Sequence, residues 1–171
     1  MRKLVSCFMI VGALLLSASA FADDAEIKAG GYAFGDFGYS PLTDRNGNSS
    51  SGYGFGLGGG YSFNNYLGME GALNLVGLSA STNITPVSIS AAAIGHIPVY
   101  RGLNIYLKAG ESYNILMTQS SNSTGTGAVT GGGLEFVGNN GVARIGIEHY
   151  DLTAGGIPYS TNYINLTFSE F

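Results

Sequence analysis

Cysteine, histidine and positive charge are scarce in this chain, and each shortage excludes a kind of site or partner. The 171 residues contain one cysteine, Cys7, no tryptophan and two histidines. So few thiol and imidazole groups exclude an internal disulfide and a metal-ligand cluster of the usual kinds. Seven Lys and Arg against eleven Asp and Glu give a net charge of −4, which argues against nucleic-acid binding. We therefore predict no metal, no other cofactor and no nucleic-acid partner.

The N-terminal segment has the three parts of a secretory signal peptide. Two basic residues at positions 2 and 3 precede an apolar run over residues 4–16, and residues 20–22 read Ala-Phe-Ala. The apolar run is shorter than the about twenty residues of a membrane-spanning helix. We predict a signal peptide over residues 1–22, cleaved after Ala22. The remaining residues 23–171 then form one domain that has no cysteine, five basic and eleven acidic side chains.

Glycine and aromatic residues are abundant, and they alternate. The chain has 28 Gly, 11 Tyr and 9 Phe, and its segment Gly52–Gly77 reads GYGFGLGGGYSFNNYLGMEGALNLVG. Large apolar residues occupy one parity and small or polar residues the other, which is the two-residue period of a β-strand. Asn64-Asn65 predicts a short turn between two strands, because Asn tolerates positive φ at little cost. The segment is therefore interpreted as a hairpin with one apolar face.

The same alternation recurs along the chain and predicts eight strands of roughly ten residues. Long polar loops are expected near residues 40–51, 79–86, 117–127 and 152–161. Short turns are expected at residues 64–65, 98–102 and 138–141. Long loops at one end and short turns at the other are typical of outer-membrane barrels and rare in soluble sandwiches. The fold prediction is all-β: an eight-stranded antiparallel up-and-down transmembrane β-barrel.

The first predicted strand, Lys28 to Tyr39, leaves two interpretations of its facing. Lys28 and Asp36 share a parity with two aromatic residues, Tyr32 and Phe34. Either these aromatic side chains point into the barrel, or the register shifts at Gly35.

Five charged residues lie on the parity opposite to the large apolar side chains of their strands. They are Glu70, Lys108, Glu135, Arg144 and Glu148. In lipid an outward-facing Lys or Arg in mid-strand costs roughly 2 to 4 kcal/mol. The shared parity therefore predicts that all five face the lumen and neutralise one another there. An eight-stranded barrel is about wide enough for its own side chains to fill, which argues against a diffusion pore and leaves a narrow ion path as an alternative.

Three segments carry a resemblance to a known family: residues 52–74, 102–115 (GLNIYLKAGESYNI) and 131–152 (GGGLEFVGNNGVARIGIEHYDL). The chain resembles the small outer-membrane β-barrel family that includes the OmpA transmembrane domain and the opacity-type surface proteins. The resemblance implies a monomeric cell-surface protein in the outer membrane of a Gram-negative bacterium, embedded in lipid and lipopolysaccharide. It also implies insertion by the barrel-assembly machinery through the terminal aromatic Phe171, and a structural role or contact with host or phage ligands through the loops.

His149 raises the alternative of a lipid-modifying enzyme. Lipid A deacylases among the small outer-membrane barrels place a His and a Ser two residues apart on the outer surface. Here Asp151 stands at that offset, with Thr153 beyond it, and no Ser-His-carboxylate set is evident. We therefore predict no enzymatic activity. The second histidine, His96, is interpreted as a rim residue at the turn end of the fourth strand.

Overall fold

The chain folds into a closed antiparallel β-barrel. The computed structural model describes residues 26–78, 84–118, 122–153 and 158–170. The strands are β1 (Gly30–Tyr39), β2 (Leu42–Thr43), β3 (Ser49–Ser50), β4 (Tyr53–Ser62), β5 (Leu67–Leu78), β6 (Ile84–Tyr100), β7 (Leu103–Thr118), β8 (Asn122–Val137), β9 (Gly141–Asp151) and β10 (Ser160–Glu170). Within these ranges no helix is long and apolar enough to cross a membrane.

Eight of the ten strands form the barrel wall. Hydrogen-bonded neighbours follow the order β1-β4-β5-β6-β7-β8-β9-β10, and β1 pairs with β10 from Ala33↔Glu170 to Tyr39↔Ile164. This last pairing leaves no open sheet edge along the paired stretch, so every strand of the wall has two neighbours there. The predicted eight-stranded antiparallel barrel is confirmed.

The barrel is apolar outside and mostly polar inside. Along β4 and β5 the large side chains are outward and exposed, from Tyr53 through Leu57 (73% exposed) to Leu73 and Leu75. The alternate positions, such as Glu70, are buried inside. This arrangement inverts a soluble core and matches a wall that faces lipid.

The aromatic side chains of Tyr32 and Phe34 in the first strand point into the barrel, as the first of the two interpretations predicted. Tyr32 and Phe34 are buried in the barrel, in a cluster with Ala72, whereas Phe37 and Tyr39 are exposed outside. The β1–β4 register runs without a break through Gly35, so no shift is needed.

The β4–β5 turn differs from its prediction in length and in backbone conformation. It spans residues 63–66 rather than Asn64-Asn65 alone. No described residue other than glycine has a positive φ, so asparagine's tolerance of that conformation is not what shapes the turn. Instead the Asn64 Oδ1 accepts hydrogen bonds from the backbone N–H groups of Tyr66 (2.8 Å) and Leu67 (2.9 Å). The side chain replaces a backbone acceptor, which is the second reason asparagine favours turns.

Three strands are longer than predicted and shorten the expected loops. β6, β7 and β8 have 17, 16 and 16 residues. Residues 117–118 and 122–127 were expected in a loop, yet Met117 pairs with Asn122 and Ser112 with Gly127. Strand pairing overrides the polar composition there, because Thr and Ser fit a strand whose backbone already has a partner. Likewise β6 reaches Tyr100, past the predicted turn residue Pro98, through a register shift between the two.

The long strands project beyond the rest of the wall. The last pair between β8 and β9 is Val129↔Tyr150, so residues 122–128 of β8 pair with β7 but not with β9. At about 3.3 Å per residue these seven residues add roughly 20 Å of strand. Val129 is level with Gly110 of β7 and Ala92 of β6, and we call the residues on the long-loop side of these three the projecting sheet: 84–91 of β6, 111–118 of β7 and 122–128 of β8.

The first long loop contains the small β2–β3 hairpin. Its turn is organised by Asp44, whose Oδ1 accepts hydrogen bonds from the backbone N–H groups of Asn46 (2.9 Å) and Asn48 (2.8 Å). The Asn48 side chain donates to Oδ2, and these bonds to the charged form hold the pKa of Asp44 below its ordinary value. The predicted polar loop is thus partly ordered.

Cysteine labelling on intact cells tests the orientation of the barrel. In a Cys7→Ser background, we expect a membrane-impermeant thiol reagent to label Asn46→Cys and Thr124→Cys, because the long-loop end faces outward. Asn139→Cys, in the short β8–β9 turn, should react only after the outer membrane is permeabilised. The reverse pattern would contradict the orientation.

Candidate functional site

The five charges predicted to face the lumen all lie inside the barrel. Glu70 is on β5, Lys108 on β7, Glu135 on β8, and Arg144 and Glu148 are on β9. Each has an exposed fraction of 6% or less. The strand period alone explains their facing, because each occupies the inward parity of its strand.

The Glu70 carboxylate lies between the two cations. Its Oε1 accepts a hydrogen bond from Arg144 Nη1, and its Oε2 is 3.4 Å from Lys108 Nζ. Arg144 Nε donates to Glu135 Oε2 at 2.7 Å, and Lys108 Nζ donates to Glu148 Oε2 at 3.1 Å. The five residues therefore form one chain of ion pairs: Glu135, Arg144, Glu70, Lys108 and Glu148. We call it the charge chain.

Neutral side chains, of which the sequence analysis named Tyr32 alone, complete the charge chain. Tyr32 donates to Glu70 at 2.7 Å, Tyr150 to Glu148 at 2.8 Å and the Asn104 side chain to Glu135 at 2.9 Å. The rings of Tyr32 and Tyr106 lie 5.8 and 5.5 Å from the Arg144 guanidinium carbon, within the range of cation–π attraction. Inward parity was the available signal for all of these residues, but parity does not say which of them meet.

His96 is not a rim residue, contrary to its interpretation from the sequence. It is 3% exposed, and its Nδ1 lies 3.0 Å from Glu135 Oε1. β6 continues past it to Tyr100, so the turn is further along the chain than predicted and His96 stays inside the barrel. Three carboxylates thus face two permanent cations and one imidazole.

Inward-facing glycines make the room that these side chains occupy. A Cβ added to Gly146 would lie against the Tyr106 hydroxyl and ring, and one added to Gly56 would meet the Asn74 and Asp36 side chains. Asp36 in turn accepts a hydrogen bond from Tyr163 at 2.5 Å. The glycines on the inward parity are therefore a packing requirement of a narrow, filled lumen.

Apolar clusters lie on both sides of the charge chain. Toward the short turns, Ile27 packs with Val137 and Val142. Toward the long loops, six buried residues form a larger cluster. They are Leu42, Val76, Val129, Tyr150, Leu152 and Tyr163. The ionic groups are thus enclosed between two apolar layers, where ion pairs are poorly screened and strongly coupled.

His149 lies on the outer surface, outside the charge chain. Its Nδ1 is 2.9 Å from Asn162 Oδ1 and its Nε2 is 3.2 Å from Asp151 Oδ1. A carboxylate therefore occupies the place where a serine nucleophile would be needed. Both ring nitrogens contact amide or carboxylate oxygens, an arrangement that orients the ring but offers no hydroxyl to activate.

Two further predictions concern residues at the edges of the described chain. Phe171, the predicted assembly signal, lies outside the described residues, as does the predicted signal peptide 1–22. The neighbouring Glu170 pairs with Ala33 and Gly141 at the end of β10. Among the described residues no group of three His, Cys, Asp or Glu is arranged to hold a metal ion.

The family is decided by a match over nearly the whole chain. Residues 8–169 match the family described as "Outer membrane protein beta-barrel domain". The chain belongs to this family. Members are integral barrels of the bacterial outer membrane, so the outward apolar wall faces lipid. A search of curated proteins returned no match.

Solved structures of three bacterial proteins share the fold. Neisserial surface protein A has a TM-score of 0.74 at 20% identity, covering 83% of this chain and 97% of its own. Ail, the attachment invasion locus protein of Yersinia pestis, has a TM-score of 0.51 at 19% identity, covering 83% and 99%. The N-terminal barrel of Pseudomonas aeruginosa OprF has a TM-score of 0.53 at 17% identity, covering 82% and 98%. At these identities the likeness concerns the fold alone.

Removal of Arg144 tests the energetic role of the charge chain. Arg144→Met should lower the free energy of unfolding by roughly 3–5 kcal/mol, because it leaves Glu70 and Glu135 buried without their shared cation. Urea unfolding in lipid vesicles, followed by heat-modifiable gel migration, measures the change.

Lys28→Met is the matched control for that experiment. It removes one positive charge from an exposed side chain and should change stability by less than about 0.5 kcal/mol. Equal stability of the two variants would contradict a stabilising role for the Arg144 ion pairs.

Proposed function

We propose that this protein is a sealed outer-membrane barrel that acts through its external surface, by contact with a host or phage ligand. The observation that carries the proposal is the projecting sheet. A barrel that served only as a membrane anchor has no need of a strand that continues for seven residues past its last pair with the next strand, as β8 does. The extra length displays an ordered surface beyond the membrane.

Apart from the exposed Glu111 of β7, the projecting sheet is neutral. Tyr113 and Met117 of β7 are exposed on its outer face, and Thr124 and Thr126 of β8 are exposed beside them. Residues 122–128 contain no charge and no proline, the two features that usually protect an edge strand from pairing. Such a surface favours a polypeptide ligand, which an edge strand binds through backbone hydrogen bonds.

Charge disfavours an anionic ligand. Ail has been solved in complex with the heparin analogue sucrose octasulfate. Of the five Lys and Arg residues after residue 22, Arg45 is the one in a long loop, and Asp44 is beside it. A sulfated ligand needs several cations at one surface, so we propose a neutral protein partner instead.

A narrow pore is the second candidate, and one observation favours it. Hydrogen-bonded polar groups continue from Asn104 through the charge chain to Tyr150. The apolar clusters at both ends, however, are barriers to ions. We therefore propose a lumen that does not conduct. The lipid-modifying enzyme is the least supported alternative, because His149 contacts Asp151 where a nucleophile would be required.

The route to the membrane follows from the sequence predictions. We propose export with cleavage after Ala22, insertion by the barrel-assembly machinery through Phe171, and a monomeric state among phospholipid and lipopolysaccharide. The outward apolar wall supports this route, since it is stable only in lipid.

Adhesion of cells that display the protein tests the surface role. Cells of a Gram-negative strain expressing the protein should bind cultured host epithelial cells more than cells without it. The double variant Thr124→Lys/Thr126→Lys should reduce this gain by about tenfold, because charges on the edge oppose pairing and desolvation. Asn139→Lys/Asn140→Lys adds the same charge at the short-turn end and should have no effect. Equal loss in both variants, or no gain from wild type, would contradict the role.

Planar-bilayer recordings test the sealed lumen. Wild-type protein should give no steady conductance, because the apolar layers exclude hydrated ions. A reproducible open level that changes in Arg144→Ala would instead support the pore.

A further inference from the structure

A short segment ahead of β1 folds against the short-turn end of the barrel. Glu26, Lys28 and Ala29 are exposed, but Ile27 between them is 3% exposed. Ile27 packs against Val137 of β8 and Val142 of β9. Ile27 is therefore buried, whereas its neighbours in the segment are exposed to solvent.

The position of Ile27 relates it directly to the charge chain. Val137 and Val142 pair with each other, and Glu135 and Arg144 pair two residues further into the barrel on the same strands. Because side chains two residues apart share a face, the two valines lie directly below the Glu135–Arg144 ion pair. Ile27 covers the valines and so forms the outermost layer between that ion pair and the periplasmic side.

A hydrogen bond and a cavity define how the segment is held. Asn65 in the β4–β5 turn donates from Nδ2 to Glu26 Oε2 at 2.8 Å, which ties the segment to the rim. Beside it lies a half-open cavity of about 380 Å³, lined by Glu26, Ile27, Tyr66 and Asn104 among others. Asn104 also donates to Glu135, so the cavity reaches the first polar group of the lumen.

We propose that residues 26–29 are a plug that closes the periplasmic mouth of the barrel, with Ile27 as its seal and the Glu26–Asn65 hydrogen bond as its anchor. The adjacent cavity gives the segment space to move aside without unfolding a strand. When the plug leaves, water and small ions gain access to Glu135 and Arg144, while the apolar cluster at the long-loop end stays closed. The plug is independent of the proposed surface contact.

Thiol accessibility of the purified full-length protein tests the plug. In a Cys7→Ser background carrying Val142→Cys, a small cationic methanethiosulfonate should react slowly when Ile27 is present. Ile27→Ser should raise the rate by about tenfold or more, because the seal loses its apolar burial. Asn65→Ala, which removes only the anchor, should raise the rate in the same direction by less. Heat-modifiable migration confirms that each variant is folded.

Two controls separate plug opening from general loosening. Lys28→Ser changes an exposed neighbour in the same segment and should leave the Val142→Cys rate unchanged. A reporter at the other end, Leu152→Cys, is fully buried and should react equally slowly with and without Ile27→Ser.

The outcomes decide the proposal without reference to any ligand. Faster reaction at Val142→Cys alone supports the plug. The same rate with Ile27 and with Ile27→Ser overturns it, as does an equal acceleration at Leu152→Cys. If Ile27→Ser does not fold, Asn65→Ala decides in its place: a rate no faster than that of the unaltered segment overturns the anchor and the plug together.

Discussion

The ion pairs that Glu70 shares with Arg144 and Lys108 are the interaction on which the lumen depends. Without Glu70, two cations would lie next to each other in a space that water does not reach, at a cost of several kcal/mol per uncompensated charge. Glu70 also accepts from Tyr32, so the charge chain is tied to β1, β5, β7, β8 and β9 at once. With His96 of β6 beside Glu135, six of the eight wall strands thus meet at one set of charges, which replaces the apolar core of a soluble protein.

This replacement explains an otherwise unusual composition. A lumen of eight strands is narrow, so long charged and aromatic side chains fit only where the opposite inward positions are small. Gly146 makes room for Tyr106, and Gly56 makes room for Asp36 and Asn74. The glycine-rich strands are therefore the complement of the charge chain. The large apolar residues are displaced to the outside, where lipid solvates them.

In the sealed barrel that we propose, any function lies at the two ends. At the long-loop end, β8 continues past its last pair with β9 and forms the projecting sheet with β6 and β7, which is ordered and neutral apart from Glu111. At the short-turn end, Ile27 lies over Val137 and Val142. The two ends differ in chemistry: polar strand residues extend the long-loop end, whereas an apolar cluster lies below the Glu135–Arg144 ion pair at the short-turn end. The family match and the solved structures establish the barrel fold alone.

The two-residue period of the sequence determined the eight wall strands and the shared facing of Glu70, Lys108, Glu135, Arg144 and Glu148, and the alternation of long loops with short turns determined the antiparallel order. Parity is a local property, and lipid enforces it on every strand. Partners are not local: Arg144 meets Glu70 across 74 positions, and His96 meets Glu135 across 39. Only the register of the closed barrel decides such pairs. The tertiary structure also decides the extension of β7 and β8 into a polar segment and the burial of Ile27. These depend on which backbones lie side by side, and that arrangement exists only once the first and last strands have joined.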